Sequence, residues 1–194
     1  MGYITKSRLD NVTTNRTKSF SKGLSAPAIL NESYNPNKQY DIFLSHSYLD
    51  KERIASLKLI LEYYGFSVYV DWISDADLNR NNVNRETAAR IRHRMKNCKS
   101  LLYAISNNSV VSKWMPWELG YFDGVNGKIA LVPITESNDE YLRGSEYLEL
   151  YPVVKEYLIK GSDKNALWVY ESEFSNSYVI LDAWINYDKK PYFH

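Results

Sequence analysis

Glu118 is the residue whose surroundings most call for chemistry. It stands in the run SKWMPWELGYFDG, residues 112–124, among Trp114, Met115, Trp117, Leu119, Tyr121 and Phe122. A helix that is apolar on all sides is a buried helix, and burying an unpaired carboxylate is costly. Such a group is either held by a buried donor for structural reasons or set against a positive charge that develops during a reaction. Trp114 lies four residues earlier and so on the same helical face. It can wall a site, stack on a flat ring, or be plain core.

A second set of candidates follows two short apolar runs. Ser45, His46 and Ser47 come directly after QYDIFLS, and Asp71 and Trp72 come directly after FSVYV. If those runs are strands of an open α/β sheet, these residues lie at its carboxyl edge, where such sheets bind ligands. A helix starting near Ser47 would present free backbone N–H groups to a phosphate there. Plainer roles exist for each: His46 as a hydrogen-bonded loop residue, Asp71 as a turn cap, Trp72 as packing. His46, His93, His194 and Cys98 show no metal-ligand spacing, so no metal is expected. Gly-rich phosphate loops and nucleophile elbows are also missing from the sequence.

The elements that must position these residues alternate. Residues 39–45 read as a strand. Ser47 and Asp50 form a helix-start signal, Ile54, Leu57, Leu61 and Tyr64 continue at helical spacing, and Gly65 stops that helix. Residues 66–70 read as a second strand and the Asn- and Asp-rich residues 71–84 as a loop. A basic helix over 85–98 turns Ala88, Ile91 and Met95 inward, its cations forming either a solvated face or an anion site. Residues 99–105 read as a third strand. The Glu118 helix follows, capped by Ser112, with Pro116 in its first turn and Gly124 at its end. Residues 128–134 read as a fourth strand, 147–159 as a short helix, 166–170 as a fifth strand and 175–187 as a last helix. Strands alternating with helices predict a parallel sheet with helices on both faces.

Composition narrows the function classes. The chain has 194 residues, 44% hydrophobic and 24% charged, an ordinary globular balance. A net charge of +1 argues against a nucleic-acid or anionic-membrane partner. The single cysteine, Cys98, rules out an internal disulfide and fits a reducing cytoplasm. No apolar run is long enough to span a membrane, and the N-terminal residues lack the apolar core of a signal peptide. Residues 1–38 carry six Lys or Arg against two acids and no sustained periodicity. They are expected to be an N-terminal arm whose removal leaves a folded domain over 39–194.

Two stretches carry a family resemblance. YDIFLSHS, followed by Asp50, resembles the first box of Toll/interleukin-1 receptor (TIR) domains. SKWMPWELGYF resembles the third-helix motif of the NAD-cleaving branch of that family, with Trp114 and Glu118 as its Trp-x-x-x-Glu pair. The chain is similar in particular to the TIR proteins of Thoeris anti-phage defence systems. The resemblance implies a flavodoxin-like three-layer fold with a central five-stranded parallel sheet. It implies cleavage of the nicotinamide–ribose bond of NAD+ with Glu118 as the catalytic group, and NAD+ as substrate rather than cofactor. The product would be ADP-ribose or a cyclic ADP-ribose isomer, read as a signal by an effector protein. The enzyme would work as a homo-oligomer, with residues 71–84 near the shared site. That loop lacks the Arg-Asp and Pro-Gly pairs of animal receptors, so receptor partner contacts do not transfer.

One carboxylate is chemically sufficient for this reaction. Glycosidases use a second carboxyl group to protonate a leaving oxygen, but nicotinamide is bound as a cation and leaves neutral. A single carboxylate beside the ribose can stabilise the oxocarbenium-like transition state. Two other readings are compatible with the residues. One is a TIR interaction module that keeps Glu118 for structure. The other is an enzyme resembling nucleoside deoxyribosyltransferases, which also break a base–sugar bond through a carboxylate.

Overall fold

The computed structural model describes residues 2–20, 38–74, 84–137 and 146–193. Its centre is three apolar runs that form parallel strands: β2 (Tyr40–Ser45), β4 (Cys98–Ile105) and β5 (Ile129–Thr135). Every residue of β5 is buried, as expected for strands covered on both faces. Two-residue β3 (Val68–Tyr69) adds outside β2, and β6 (Val153–Leu158) adds beyond β5 through the Leu131–Val153 pair. The parallel part therefore runs β3-β2-β4-β5-β6. In order of appearance after the arm this is 2-1-3-4-5, the flavodoxin-like order.

Helices cover both faces and make two cores. On one side α1 (Lys6–Phe20), α2 (Lys51–Tyr63) and α6 (Leu181–Asn186) enclose Ile42, Leu44, Leu57, Leu61 and Val132. On the other, α4 (Arg85–Lys96) and α5 (Met115–Val125) enclose Phe43, Tyr69, Leu101, Tyr103 and Phe122. Gly65 ends α2 as its pattern predicts. Its φ of 91° lets the Gly65 N–H reach the Glu62 carbonyl and the Phe66 N–H the Leu61 carbonyl. In α4, Ile91 and Met95 face the core, and the Asn84 side chain caps the start by accepting from the Thr87 N–H at 2.8 Å.

Several boundaries differ from the sequence expectations. Residues 147–159 are not a helix: a 3-10 turn, Glu146–Leu150, leads into β6, which is the fifth parallel strand. The run expected to be that strand lies within β7 (Asn165–Tyr170), which pairs antiparallel with β6. The last helix is confined to α6, because residues 177–180 pair with β7 as β8 (Ser177–Ile180), and β9 (Tyr192–Phe193) closes this antiparallel extension. In both places alternating apolar residues fit two periods, and cross-strand partners decide for the strand. The sheet thus has more than five strands, with the expected parallel set as its core. Of the expected loop 71–84, the first residues form a helical turn, α3 (Asp71–Ser74); residues 75–83 lie outside the described residues.

The arm takes part in the fold. Its β1 (Ile4–Thr5) pairs in parallel with the end of β5, Ile4 beside Ile134 and Thr5 beside Thr135. The Gly2 carbonyl accepts from the Glu156 N–H of β6 at 2.9 Å, so residues 2–5 join two strands that part after Leu131–Val153. Ile4 and Leu9 are fully buried. Arg8 reaches Glu156 at 2.6 Å, and the Tyr64 hydroxyl donates to the same carboxylate. Thr13 of α1 and Ser56 of α2 share a 2.6 Å hydrogen bond, and Asp10 of α1 takes a two-pronged contact from Arg53 of α2.

Candidate active site

The carboxyl ends of β2 and β4 and the first turn of α5 meet on the α4–α5 side of the sheet. Pro116 stands near the start of α5, where its missing N–H is harmless, and Trp114 is the N-cap residue. Ser112 is not the cap proper, although its hydroxyl accepts weakly from the Met115 N–H at 3.4 Å. The helix runs one residue past Gly124. These boundaries put Glu118 in the first turn, where the helix dipole favours a negative charge.

Glu118 is wholly buried, with 0% of its surface exposed. Ser45, the last residue of β2 and equally buried, donates its hydroxyl to Glu118 Oε2 at 2.6 Å. A hydrogen bond to a charged acceptor in a site closed to water is a strong one. The two residues singled out from separate runs of sequence are therefore in direct contact. Trp114 is nearly buried and meets Trp117 edge-to-face at 5.4 Å, while Trp117 stacks on Tyr121. The result is an aromatic ladder along α5.

His46 and Asp71 form a second buried pair. The His46 Nδ1 lies 2.9 Å from the Leu44 carbonyl and must carry a proton to bond it, which turns Nε2 toward Asp71 Oδ1 at 3.6 Å. Ser47 is buried but makes no capping hydrogen bond with its side chain; its carbonyl accepts from the Asp50 N–H. Trp72 packs against the core on the α2 side, with its indole N–H buried and without a hydrogen-bond partner among the described residues.

Other residues near this edge escaped the sequence reading. Asp50, half of the helix-start signal, is indeed the N-cap residue of α2, but its side chain makes no cap; it ties two loops together, accepting from the Ser106 hydroxyl at 2.5 Å and from the Asn108 amide at 2.7 Å. Tyr103 on β4 is the register partner of Ser45 and is buried. Burial, then the neighbouring Tyr147 and Glu118, push its phenol well above the usual range, so the hydroxyl keeps its proton at neutral pH. A lone Tyr within the apolar run Leu101–Ile105, in the carboxyl half of the strand, was the available signal. Among the described residues no group of three or more His, Cys, Asp or Glu is placed to hold a metal ion, and no helix is long and apolar enough to cross a membrane.

Comparison with known proteins places this geometry in a family. Residues 42–157 match the TIR domain model, a span that contains Ser45, His46, Asp71 and Glu118 and ends within β6. The chain is 48% identical over 170 residues to the "probable 3′ cyclic ADP-D-ribose synthase ThsB′" of Bacillus cereus (strain MSX-D12), covering 86% of this chain and 87% of that protein. It is 35% identical over 85 residues, 43% of this chain and 22% of the other, to TIR2 of Cytobacillus dafuensis, which is also named for cyclic ADP-D-ribose synthesis. Among solved structures, the TIR domain of the Toll-related receptor TRR-2 from Hydra magnipapillata matches with 18% identity and a TM-score of 0.43, over 57% of this chain and 78% of that one. The chain belongs to the TIR domain family.

Proposed function

We propose that this protein cleaves the nicotinamide–ribose bond of NAD+ and passes the ADP-ribosyl group to water or to a nucleophile of the same molecule, giving ADP-ribose or a cyclic isomer. The observation that carries the reading is Glu118: a fully buried carboxylate, held by Ser45, at the carboxyl edge of the sheet. The names of the two relatives, both for cyclic ADP-D-ribose synthesis, favour ring closure.

The bond from ribose C1′ to the pyridinium nitrogen breaks, and its electron pair leaves with nicotinamide, which becomes neutral. Positive charge gathers on C1′ and the ring oxygen. Glu118 lies in a dry, low-dielectric setting where its charge acts strongly on that centre. The Ser45 hydroxyl fixes one carboxylate oxygen. Water or a substrate nucleophile then adds to C1′ and gives up its proton. No metal or cofactor is needed for these steps.

The other candidates take substrate-binding roles in this proposal. His46 and Asp71 offer polar contacts to the sugar or phosphates, Ser47 a backbone contact and Trp114 an apolar wall, whereas Trp72, packed on the α2 side, could reach substrate only from beyond the sheet edge. Residues 1–38 form an arm serving the TIR domain over 39–194. The enzyme acts as a homo-oligomer in the cytoplasm, and its product signals to an effector in anti-phage defence.

Incubating the full chain with NAD+ over two decades of protein concentration (about a hundredfold), followed by chromatography, tests this reading. Free nicotinamide should appear with an ADP-ribose-type product, at a specific activity that rises with concentration. Flat specific activity would remove the oligomer from the proposal; absence of NAD+ consumption at every concentration would leave an interaction module instead.

Ser45→Ala should lower kcat by about tenfold, the lower end of what a hydrogen bond to a charged group contributes. Steady-state kinetics checks this, and an unchanged kcat would show that Glu118 does not depend on Ser45 for its placement.

A further inference from the structure

Asp50 is a buried carboxylate that the reaction above does not use, yet its bonds reach toward both halves of the site. It is 7% exposed. Burying such a group is costly unless donors hold it, and two do: the Ser106 hydroxyl on one oxygen and the Asn108 side-chain amide on the other. Asp50 closes the 3-10 turn Tyr48–Asp50, a few residues after Ser45. Ser106 and Asn108 open the loop that leads to Glu118. From that loop the hydrogen bonds continue without a break into α5. The Ser106 carbonyl accepts from the Ser109 N–H at 3.1 Å and from the Ser109 hydroxyl at 2.7 Å. The Ser109 carbonyl accepts from the Ser112 N–H at 3.1 Å, and the Ser112 hydroxyl from the N–H of Met115, the first residue of α5. In the other direction the Asp50 N–H donates to the Ser47 carbonyl at 3.0 Å, close behind Ser45.

We infer that Asp50 is a positioning residue for the Ser45–Glu118 pair. The inference rests on the NAD+-cleaving reading above. Two side-chain contacts join residues 45–50 to residues 106–118: Ser45 on Glu118 at one end, and Asp50 on Ser106 and Asn108 at the other. Together they close a ring of chain, and each contact narrows the movement left to the other. Asp50 therefore limits how far the loop before α5 can shift, and with it how far the first turn of α5 can carry the Glu118 carboxylate away from C1′. A misplacement on the order of 1 Å is enough to cost about a hundredfold in rate. A carboxylate suits this place because it offers an acceptor to each of two donors, whereas an amide offers one acceptor and one donor.

Asp50→Asn keeps the shape but loses one of the two bonds. Its kcat should fall about tenfold, the loss expected for one hydrogen bond to a charged group, with KM for NAD+ little changed. Combining Asp50→Asn with Asn108→Asp exchanges donor and acceptor: the new amide donates to the new carboxylate and still accepts from the Ser106 hydroxyl. That exchange should return kcat to within about twofold of wild type. Ser45→Ala supplies a readout that a general brace would not move. The Asp50 and Ser45 side chains share no hydrogen-bond partner among the described residues, so independent effects multiply. If Asp50 acts through the Ser45–Glu118 contact, Ser45→Ala should cost about tenfold in the wild-type background and less than about threefold beside Asp50→Asn. The experiment is steady-state kinetics on these variants below their melting transitions, with a melting curve for each. Losses that fall short of multiplying, together with rescue by the exchange, support the inference. Wild-type kcat in Asp50→Asn, losses that multiply, or an exchange variant as slow as Asp50→Asn overturn it and leave the NAD+ reading standing. Should Asp50→Asn lack a cooperative transition, Ser106→Ala, which removes one of the two bonds, replaces it in the same cycle and is judged by whether the losses multiply. A wild-type protein that consumes no NAD+ overturns both.

Discussion

Glu118→Gln is expected to lower kcat for NAD+ by about a hundred- to a thousandfold, the loss typical of removing one preorganised electrostatic contact. Gln has nearly the same shape as Glu and can still accept the Ser45 hydroxyl bond through its amide oxygen. What it lacks is the charge. If that charge acts chiefly on the oxocarbenium-like transition state, the loss falls on kcat, and KM changes little. The variant should also melt close to wild type, because the Ser45 contact and the apolar surroundings persist. Kinetics and melting curves on the two proteins check this together. A variant that consumes NAD+ near the wild-type rate would sink the catalytic assignment whatever its stability. A variant with lost activity and a collapsed melting transition would point to a structural carboxylate.

Arg8→Met should destabilise the domain by about 2–3 kcal/mol. Glu156 is buried, with 2% of its side chain exposed, and would keep the Tyr64 hydroxyl but lose its cation. Removing one partner of a fully buried pair costs about 3–5 kcal/mol. The Arg8 side chain is 37% exposed, so water screens part of the interaction and the lower figure is appropriate. For a chain of this size the change corresponds to a fall of about 5–10 °C in melting temperature. The double variant Arg8→Met with Glu156→Gln should recover part of the loss, since no buried charge is then left alone. Melting temperatures of the three proteins decide the matter. A single variant within about 1 °C of wild type would show that the Arg8–Glu156 pair contributes nothing to stability.

Much of the site was legible because its signals are local. Glu118 stands out as one charge in a run of large apolar residues, and Ser45 as the end of an apolar strand. Strand-to-helix alternation from Tyr40 to Thr135 was readable for the same reason, since strands buried on both faces appear as unbroken apolar runs. What escaped was set by partners distant in sequence. Val153–Leu158 has apolar residues spaced for either helix or strand, and only its pairing with Leu131 and with β7 decides. The arm reads as polar because few of its residues, among them Ile4 and Leu9, carry its burial, and its key cation is matched by a carboxylate in β6. Asp50 marks the start of α2, as its spacing from Ser47 indicates, but its side-chain partners, Ser106 and Asn108, belong to a different loop and leave no local signal.

The place of the arm also sets an order of events on the ribosome. Residues 2–5 emerge before the strands they join, yet the positions they occupy are defined by the ends of β5 and β6, and Arg8 finds Glu156 across a separation of 148 residues. Until β6 has left the exit tunnel, Gly2 and Arg8 have no Glu156 to bond, although β5 and α2 can already receive Ile4, Asp10 and Thr13. The docking of this early segment is therefore completed only once β6 follows. Closing so long a loop is an entropic expense met late in folding, after the sheet that receives the arm exists. A nascent chain paused before β6 holds Ser45 and Glu118 already made, on a sheet that lacks its fifth parallel strand and the Glu156 carboxylate that fastens the arm.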